Sequence, residues 1–185
     1  MKQIPFPNKK YHIIYADPPW DFGKSGVYQS GRPDRKTCDQ YRLTKTKDLM
    51  NLKVSEIAED TSVLLMWTTD AHLPDALQLI KCWGFKYNTV AFYWVKKYAS
   101  GSICSNVGRW TMKNGEMCLL ASKGNASKLI KTRNIKQLVE AVRTKHSQKP
   151  QEVRDRIVSL FGDISRIELF ARQKIEGWDV WGDEV

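Results

Sequence analysis

The sequence predicts an α/β fold, a mostly parallel sheet with helices on both faces. Three observations carry this. Apolar runs such as Ser62 to Trp67 (SVLLMW) have the continuous hydrophobicity of strands covered on both sides. Between the runs, segments such as Leu73 to Trp83 repeat their apolar residues at helical spacing. The first strand, Tyr11 to Ala16, stops at Asp17-Pro18-Pro19, and open α/β sheets bind ligands at the carboxyl ends of their strands.

Each element follows in order. Ile13, Ile14 and Tyr15 are apolar and β-favouring. Pro18 and Pro19 lack a backbone N–H, so ladder pairing ends there, and Pro18 pushes Asp17 toward an extended conformation. Residues 21 to 46 are rich in Gly, Ser, Lys, Arg and Asp and read as a long loop. Lys24, Arg32, Arg35 and Lys36 offer it a positive face for phosphates; a solvated loop without that role is the other reading. Thr46 or Thr44 caps a helix reaching about Glu59, with Leu49, Leu52, Ile57 and Ala58 turned inward. After the strand Ser62 to Trp67 comes the helix Leu73 to Trp83, closed by Gly84. Tyr87 to Val95 is a strand whose aromatics suit a core better than base stacking.

Lys96, Lys97 and Tyr98 open a second long loop, to about Lys113, that holds Arg109 and Trp110. Bases interleaved with aromatics suit a nucleic-acid contact; a hairpin pinned by Trp110 is the competing reading. Met117 to Ser122 is a further strand, and residues 123 to 148 carry many Lys and Arg. Pro150 opens a helix to Leu160, as proline does in a first turn, with Lys149 just before it. The last predicted strand is Arg166 to Phe170. Glu168 lies inside its apolar run, which is costly unless the side chain emerges at the strand end or finds partners. An acid near a strand end can also accept ribose hydroxyls.

Composition narrows the class. The chain has 185 residues, 42% of them hydrophobic, enough for one domain with a sizeable core. No apolar run approaches the ~20 residues that span a bilayer, and MKQIPFPNKK lacks the apolar centre of a signal peptide. A cytoplasmic location is expected, with no membrane partner. Cys38, Cys82, Cys104 and Cys118 form no C-x-x-C pair, and His12, His72 and His146 are scattered. Reduced packing thiols and no metal site are expected. A net charge of +10 attracts polyanions, without separating DNA from RNA.

The Asp17 corner has a chemical use. An exocyclic amine on a base is a poor nucleophile, because its lone pair is delocalised into the ring. Asp17 can accept one N–H and the Pro18 carbonyl the other, which favours the tetrahedral form of the nitrogen by preorganised electrostatics. Trp20 either stacks on the base or plugs the core. Stacking of this kind contributes ~1–3 kcal/mol.

Asp17-Pro18-Pro19-Trp20 resembles the catalytic tetrapeptide of amino-methyltransferases that use S-adenosylmethionine. Further matches span nearly the whole chain: Gly108-Arg109-Trp110 before Glu116, Ser147-Gln148-Lys149-Pro150, Glu168-Leu169-Phe170-Ala171-Arg172, and Gly177-Trp178 through Gly182-Asp183-Glu184. On these the chain is similar to the DPPW-type adenine-N(6) methyltransferases, the family of the eukaryotic mRNA adenosine methyltransferase and its bacterial and phage DNA relatives.

The resemblance implies a Rossmann-like methyltransferase fold in permuted order, catalytic motif before cofactor motif. It implies S-adenosylmethionine as cofactor and Asp17, Pro18, Pro19 and Trp20 as catalytic residues. It puts Asp17, Lys149, Glu168, Leu169, Phe170, Arg172, Gly182, Asp183 and Glu184 at the cofactor. Lys149 would reach the cofactor carboxylate, unless it is a plain surface charge. Trp20, Tyr41, Lys96, Arg109, Trp110 and Glu116 would face the substrate. No G-x-G follows the last strand, which departs from most dinucleotide folds and agrees with that family; one departure from the family is position 183, Asp where Asn is frequent, which cannot donate an amide N–H. Trp178 and Trp181 are core anchors or ligand contacts.

Adenine in DNA is the expected substrate, ahead of RNA, because a compact basic chain resembles the phage and bacterial enzymes. With no recognition module expected beyond this domain, weak sequence preference is expected too. A homodimer is also expected as an option, because the long basic loops could complete a second subunit's groove. An inactive, nucleic-acid-binding partner subunit is the competing class, but the tetrapeptide, typically degraded in such partners, is intact.

Overall fold

The computed structural model describes residues 4–20, 46–108, 110–144 and 148–185. Its strands are β1 (Tyr11–Ala16), β2 (Ala58–Thr68), β3 (Lys86–Lys97), β4 (Gly115–Lys123), β5 (Leu138–Val142), β6 (Arg166–Leu169) and β7 (Asp179–Trp181). Its α-helices among the described residues are α1 (Thr46–Met50), α2 (Leu73–Cys82) and α3 (Gln151–Phe161). The strands form one sheet in the order β5-β3-β4-β2-β1-β6-β7. Strand β4 runs antiparallel to β2 and β3; the other neighbouring pairs are parallel.

Alternation along each strand splits the core into two layers. Ile14 and Ala16 of β1 and Leu64 and Met66 of β2 join Leu49 of α1 and Leu79 and Ile80 of α2. Ile13, Tyr15, Val63, Leu65 and Trp67 face the other way, onto Val153, Ile157 and Phe161 of α3. Helices therefore cover both faces, as the continuous apolar runs require. Complete burial of one such Ile or Leu stabilises by about 1.5–3 kcal/mol. Pro74 sits in the first turn of α2, and Gly84, at φ +83°, turns the chain after it. The Trp83 indole N–H donates to the Leu49 carbonyl at 2.9 Å and ties the two helices together.

Several elements differ from expectation. The helix expected to reach Glu59 stops at Met50; a 3-10 turn follows at Val54–Glu56, and Ala58 and Glu59 already lie in β2. Tyr11 N donates to the Ile57 carbonyl at 2.8 Å and Tyr11 pairs with Ala58, so strand pairing overrides the helical spacing. Lys96 and Lys97 extend β3 instead of opening the loop, because they pair with Ala141 and Val142 of β5. The terminal segment adds β7, which pairs with β6. Phe170 leaves the last strand at φ +62°, a left-handed conformation rare for a bulky residue. Trp178 and Trp181 are both buried core anchors. No helix among the described residues is long and apolar enough to cross a membrane.

Candidate active site

Parallel pairing brings the carboxyl ends of β1, β2, β3, β6 and β7 to one edge of the sheet, together with the amino end of antiparallel β4. Strand β1 has β2 on one side and β6 on the other, so chain order reverses there and opens a crevice. Asp17 stands at that point.

A line of alternating charges meets it. Lys149 Nζ, at the start of α3, lies 2.6 Å from Asp17 Oδ2 and 3.3 Å from Glu116 Oε2. Lys96 Nζ donates to Glu116 Oε1. Three sheet strands and one helix thus contribute one charge each. Burial by itself would lower the Lys149 ammonium, but Asp17 and Glu116 outweigh it and hold it above the ordinary lysine range. For Glu116, burial pushes upward, and Lys149 and Lys96 hold the carboxyl below the ordinary range. Both groups stay ionised at neutral pH, because a buried charge survives only when paired.

The α3 side of this line has a second, buried support. The Lys149 ammonium lies 5.4 Å from the centre of the Trp67 ring. Trp67 Nε1 donates to the Tyr15 hydroxyl at 2.6 Å. Burial pushes the Tyr15 hydroxyl well up, so it stays neutral and can accept that bond. The Arg154 guanidinium sits 5.5 Å over the Tyr15 ring and grips Glu168 with two bonds, at 2.8 and 2.7 Å.

These contacts correct several sequence expectations. Glu168, read as a ribose acceptor, gives both carboxylate oxygens to Arg154 inside the protein; it points to the α3 face and locks β6 to that helix. Trp20 is 5% exposed and does not present an open face for a base. Its indole N–H donates to the Trp67 carbonyl at 3.1 Å, and its ring stacks on His72 with centroids 5.6 Å apart. Trp20 therefore braces the corner from the core. Lys149 is buried, so it is not a plain surface charge, and its ammonium is directed at two protein carboxylates before any cofactor. Lys96 and Glu116, read as substrate contacts, are partners of each other. Trp110, 89% exposed, does not pin the hairpin. Tyr41 and Arg109 lie outside the described residues, as does Cys38.

Pro18 follows Asp17 directly, and the other named residues follow the ends of β6 and β7. The Pro18 carbonyl accepts the Trp20 backbone N–H at 2.9 Å, which leaves its second lone pair, since a carbonyl has two. Asp17 N approaches the Leu169 carbonyl at 3.5 Å, which joins the β1 and β6 ends. Ala171 N donates to the Trp181 carbonyl at 3.1 Å. A Cβ on Gly182 would meet the Ala171 carbonyl oxygen at 2.5 Å, so only glycine lets the two strand ends approach so closely. Phe170 packs edge-on against Trp181. Arg172 lies 3.9 Å from Glu184, and Asp183 and Glu184 are exposed.

Sequence reasoning missed Tyr15, Trp67 and Arg154. The first two read as plain core residues within apolar strands. Arg154 did carry a signal: it shares the inner helical face with Val153, Ile157 and Phe161, opposite a glutamate that needed a partner.

A sheet with its charged corner at the switch point, entered after the first strand and bordered by the last two, defines a Rossmann-like methyltransferase in permuted order. The chain belongs to the MT-A70 family, whose model matches residues 11–184. Methyltransferases of this family use S-adenosylmethionine, and their substrates are nucleic acids. The chain is 38% identical to the type II methyltransferase M.MunI of Mycoplasma sp. over 97% of its own length and 79% of that protein. It is 27% identical to the N(6)-adenosine-methyltransferase catalytic subunit METTL3 of Homo sapiens over 88% of its length, and 23% identical to the N6-methyladenosine RNA methyltransferase MTA1 of Pyricularia oryzae over 95%. It spans 26% of the human protein and 47% of the fungal one.

Proposed function

We propose that this protein transfers the methyl group of S-adenosylmethionine to N(6) of adenine in DNA. The observation that carries the reading is the Asp17 carboxylate, held at the end of β1 by Lys149 and followed at once by the Pro18 carbonyl. Likeness to a type II methyltransferase over most of both chains favours DNA, whereas the adenosine methyltransferases named above match over smaller shares of their own length. The same reading places the protein in the cytoplasm, bacterial or phage-infected.

The residues at the ends of β6 and β7 fit the cofactor by their chemistry. Arg172 supplies a cation for a carboxylate, and Asp183 and Glu184 supply acceptors for ribose hydroxyls. Phe170 supplies a ring, and Gly182 the close approach of backbone. When bound, S-adenosylmethionine supplies an activated methyl on a cationic sulfur.

Asp17 accepts one N–H of the amine, and the free lone pair of the Pro18 carbonyl accepts the other. The nitrogen lone pair is then drawn out of conjugation with the ring and becomes nucleophilic. Holding the amine in line supplies much of the acceleration. Lys149 fixes the orientation of Asp17 and offsets its charge, so the site does not trap the cationic cofactor by attraction alone. Asp17 also stands where it can take the proton that the nitrogen sheds after transfer.

The test is labelled methyl transfer by the purified chain to native plasmid DNA, denatured plasmid DNA and RNA of equal adenine content, with Asp17→Ala as control. Label on DNA adenine that the control loses supports the reading. Label on RNA alone overturns the substrate, and no label on any polymer, with cofactor bound, moves the chain to the class of inactive partners.

A further inference from the structure

The excursion between β3 and β4 is rooted directly on the charged corner. Lys96 ends one side of it and Glu116 begins the other, and the two are paired to each other and, through Lys149, to Asp17. Its base is tied by hydrogen bonds and an ion pair. Cys104, buried, donates its backbone N–H to the Lys96 carbonyl at 2.7 Å, and Asn114 Nδ2 donates to the Cys104 carbonyl at 3.0 Å. Lys113 pairs with Asp70, just past the end of β2, at 2.7 Å. Asn106 and Lys113 exchange both backbone bonds, at 2.9 and 2.8 Å, and close a tight turn. Gly108 is required in it, because a Cβ there would meet the Thr111 carbonyl oxygen at 2.3 Å.

This pinned turn carries its apolar side chains outward. Val107 is 63% exposed, Trp110 89% and Met112 52%. A turn rooted by hydrogen bonds at its base that spends a tryptophan on solvent has the form of a tool for a partner. The partner is polyanionic by charge: the chain carries a net charge of +10, and the lysines of this excursion, Lys96, Lys97 and Lys113, are matched by Glu116, Glu140 and Asp70 outside it, so no uncompensated acid lies between Lys96 and Gly115 to repel phosphate. A second copy of a chain with net charge +10 would bring like charge to the same place.

Given the proposed activity on DNA adenine, on which this rests, the target amine lies inside the base stack and the nucleotide must be extruded to reach Asp17. Proteins that unstack a duplex insert apolar side chains between base steps. We infer that Trp110, flanked by Val107 and Met112, is a wedge that enters duplex DNA beside the target adenine and holds the stack open while the base occupies the Asp17 corner.

The experiment compares methyl transfer to native and heat-denatured plasmid by the full chain and by Trp110→Ala, Trp110→Phe and Trp110→Lys. Loss of one stacked aromatic predicts a drop of about tenfold or more on native plasmid for Trp110→Ala. Trp110→Phe should keep native-plasmid activity, and transfer to denatured plasmid by Trp110→Ala should match the parent. Trp110→Lys, which keeps attraction for phosphate but cannot stack, should fail on native plasmid like alanine. Full activity of Trp110→Lys or Trp110→Ala on native plasmid overturns the wedge while the methyltransferase reading stands. Equal losses on both DNA forms also overturn it, as does a parent dimer in sedimentation that Trp110→Ala dissociates. No transfer by the parent chain to any DNA overturns the functional reading, and the wedge with it.

Discussion

Lys149 and Asp17 lie 132 positions apart in the chain and 2.6 Å apart in the fold. Their pairing aims the carboxylate to which the proposed reaction assigns the amine. It also makes Lys149 the hinge of the whole charged line, because the same ammonium holds Glu116.

Lys149→Met should therefore be costly twice over. It leaves Asp17 and Glu116 as neighbouring carboxylates without their shared cation, and breaking a buried pair from one side costs about 3–5 kcal/mol. Urea denaturation at neutral pH measures this. Methyl transfer should fall together with stability; a variant as stable as the parent would show that the pair does not hold the corner.

Stability should also depend on pH at both ends. Glu116 is depressed in the fold, so its contribution is fully present above its unfolded value of about 4.3 and is lost as pH falls through the lower folded value. Lys149 is raised, so its contribution is present below its unfolded value of about 10.4 and is lost as pH rises through the higher folded value. Thermal midpoints across the pH range should show both limbs. Glu116→Gln should flatten the acid limb and leave the plateau lower.

Arg154 and Glu168 behave as a buried strut, not as ligand groups. Removing either partner strands a buried charge, at about 3–5 kcal/mol, while Arg154→Met combined with Glu168→Leu should recover much of the loss. A double-mutant cycle by denaturant unfolding reads the coupling. Additive losses would mean that the two residues act separately.

Gly182→Ala introduces a methyl where the Ala171 carbonyl oxygen stands 2.5 Å and its backbone N 2.9 Å away. Backbone shifts of that kind cost about 1–3 kcal/mol. Since Gly182 sets the spacing of the β6 and β7 ends, the Michaelis constant for S-adenosylmethionine should rise more than the turnover number falls. An unchanged Michaelis constant would remove this strand end from the cofactor site.

The strands were legible because periodicity is local. Ile13 to Tyr15 and Val63 to Trp67 announce buried strands wherever the chain carries them. The end of α1 was not, since Leu49, Leu52, Ile57 and Ala58 keep helical spacing up to the point where Tyr11 claims Ala58 as a strand partner. Glu168 shows the same limit at the site. Its residue type and strand-end position suit a hydroxyl acceptor, yet the face it takes is decided by the register of β6 on β1, and that face holds Arg154.

By itself the sequence determined the α/β class, the strand that breaks at Asp17-Pro18-Pro19, the basic charge and the family pattern that runs to Glu184. Those are properties of neighbouring residues: hydrophobic spacing, missing N–H groups, motif order. Only the tertiary structure decided that Lys96, Glu116, Lys149 and Asp17 form one line, that Trp20 turns into the core, and that Trp110 stands in solvent. Charges find partners through space, and which ones meet depends on strand order and register, where one step moves a side chain to the opposite face of the sheet.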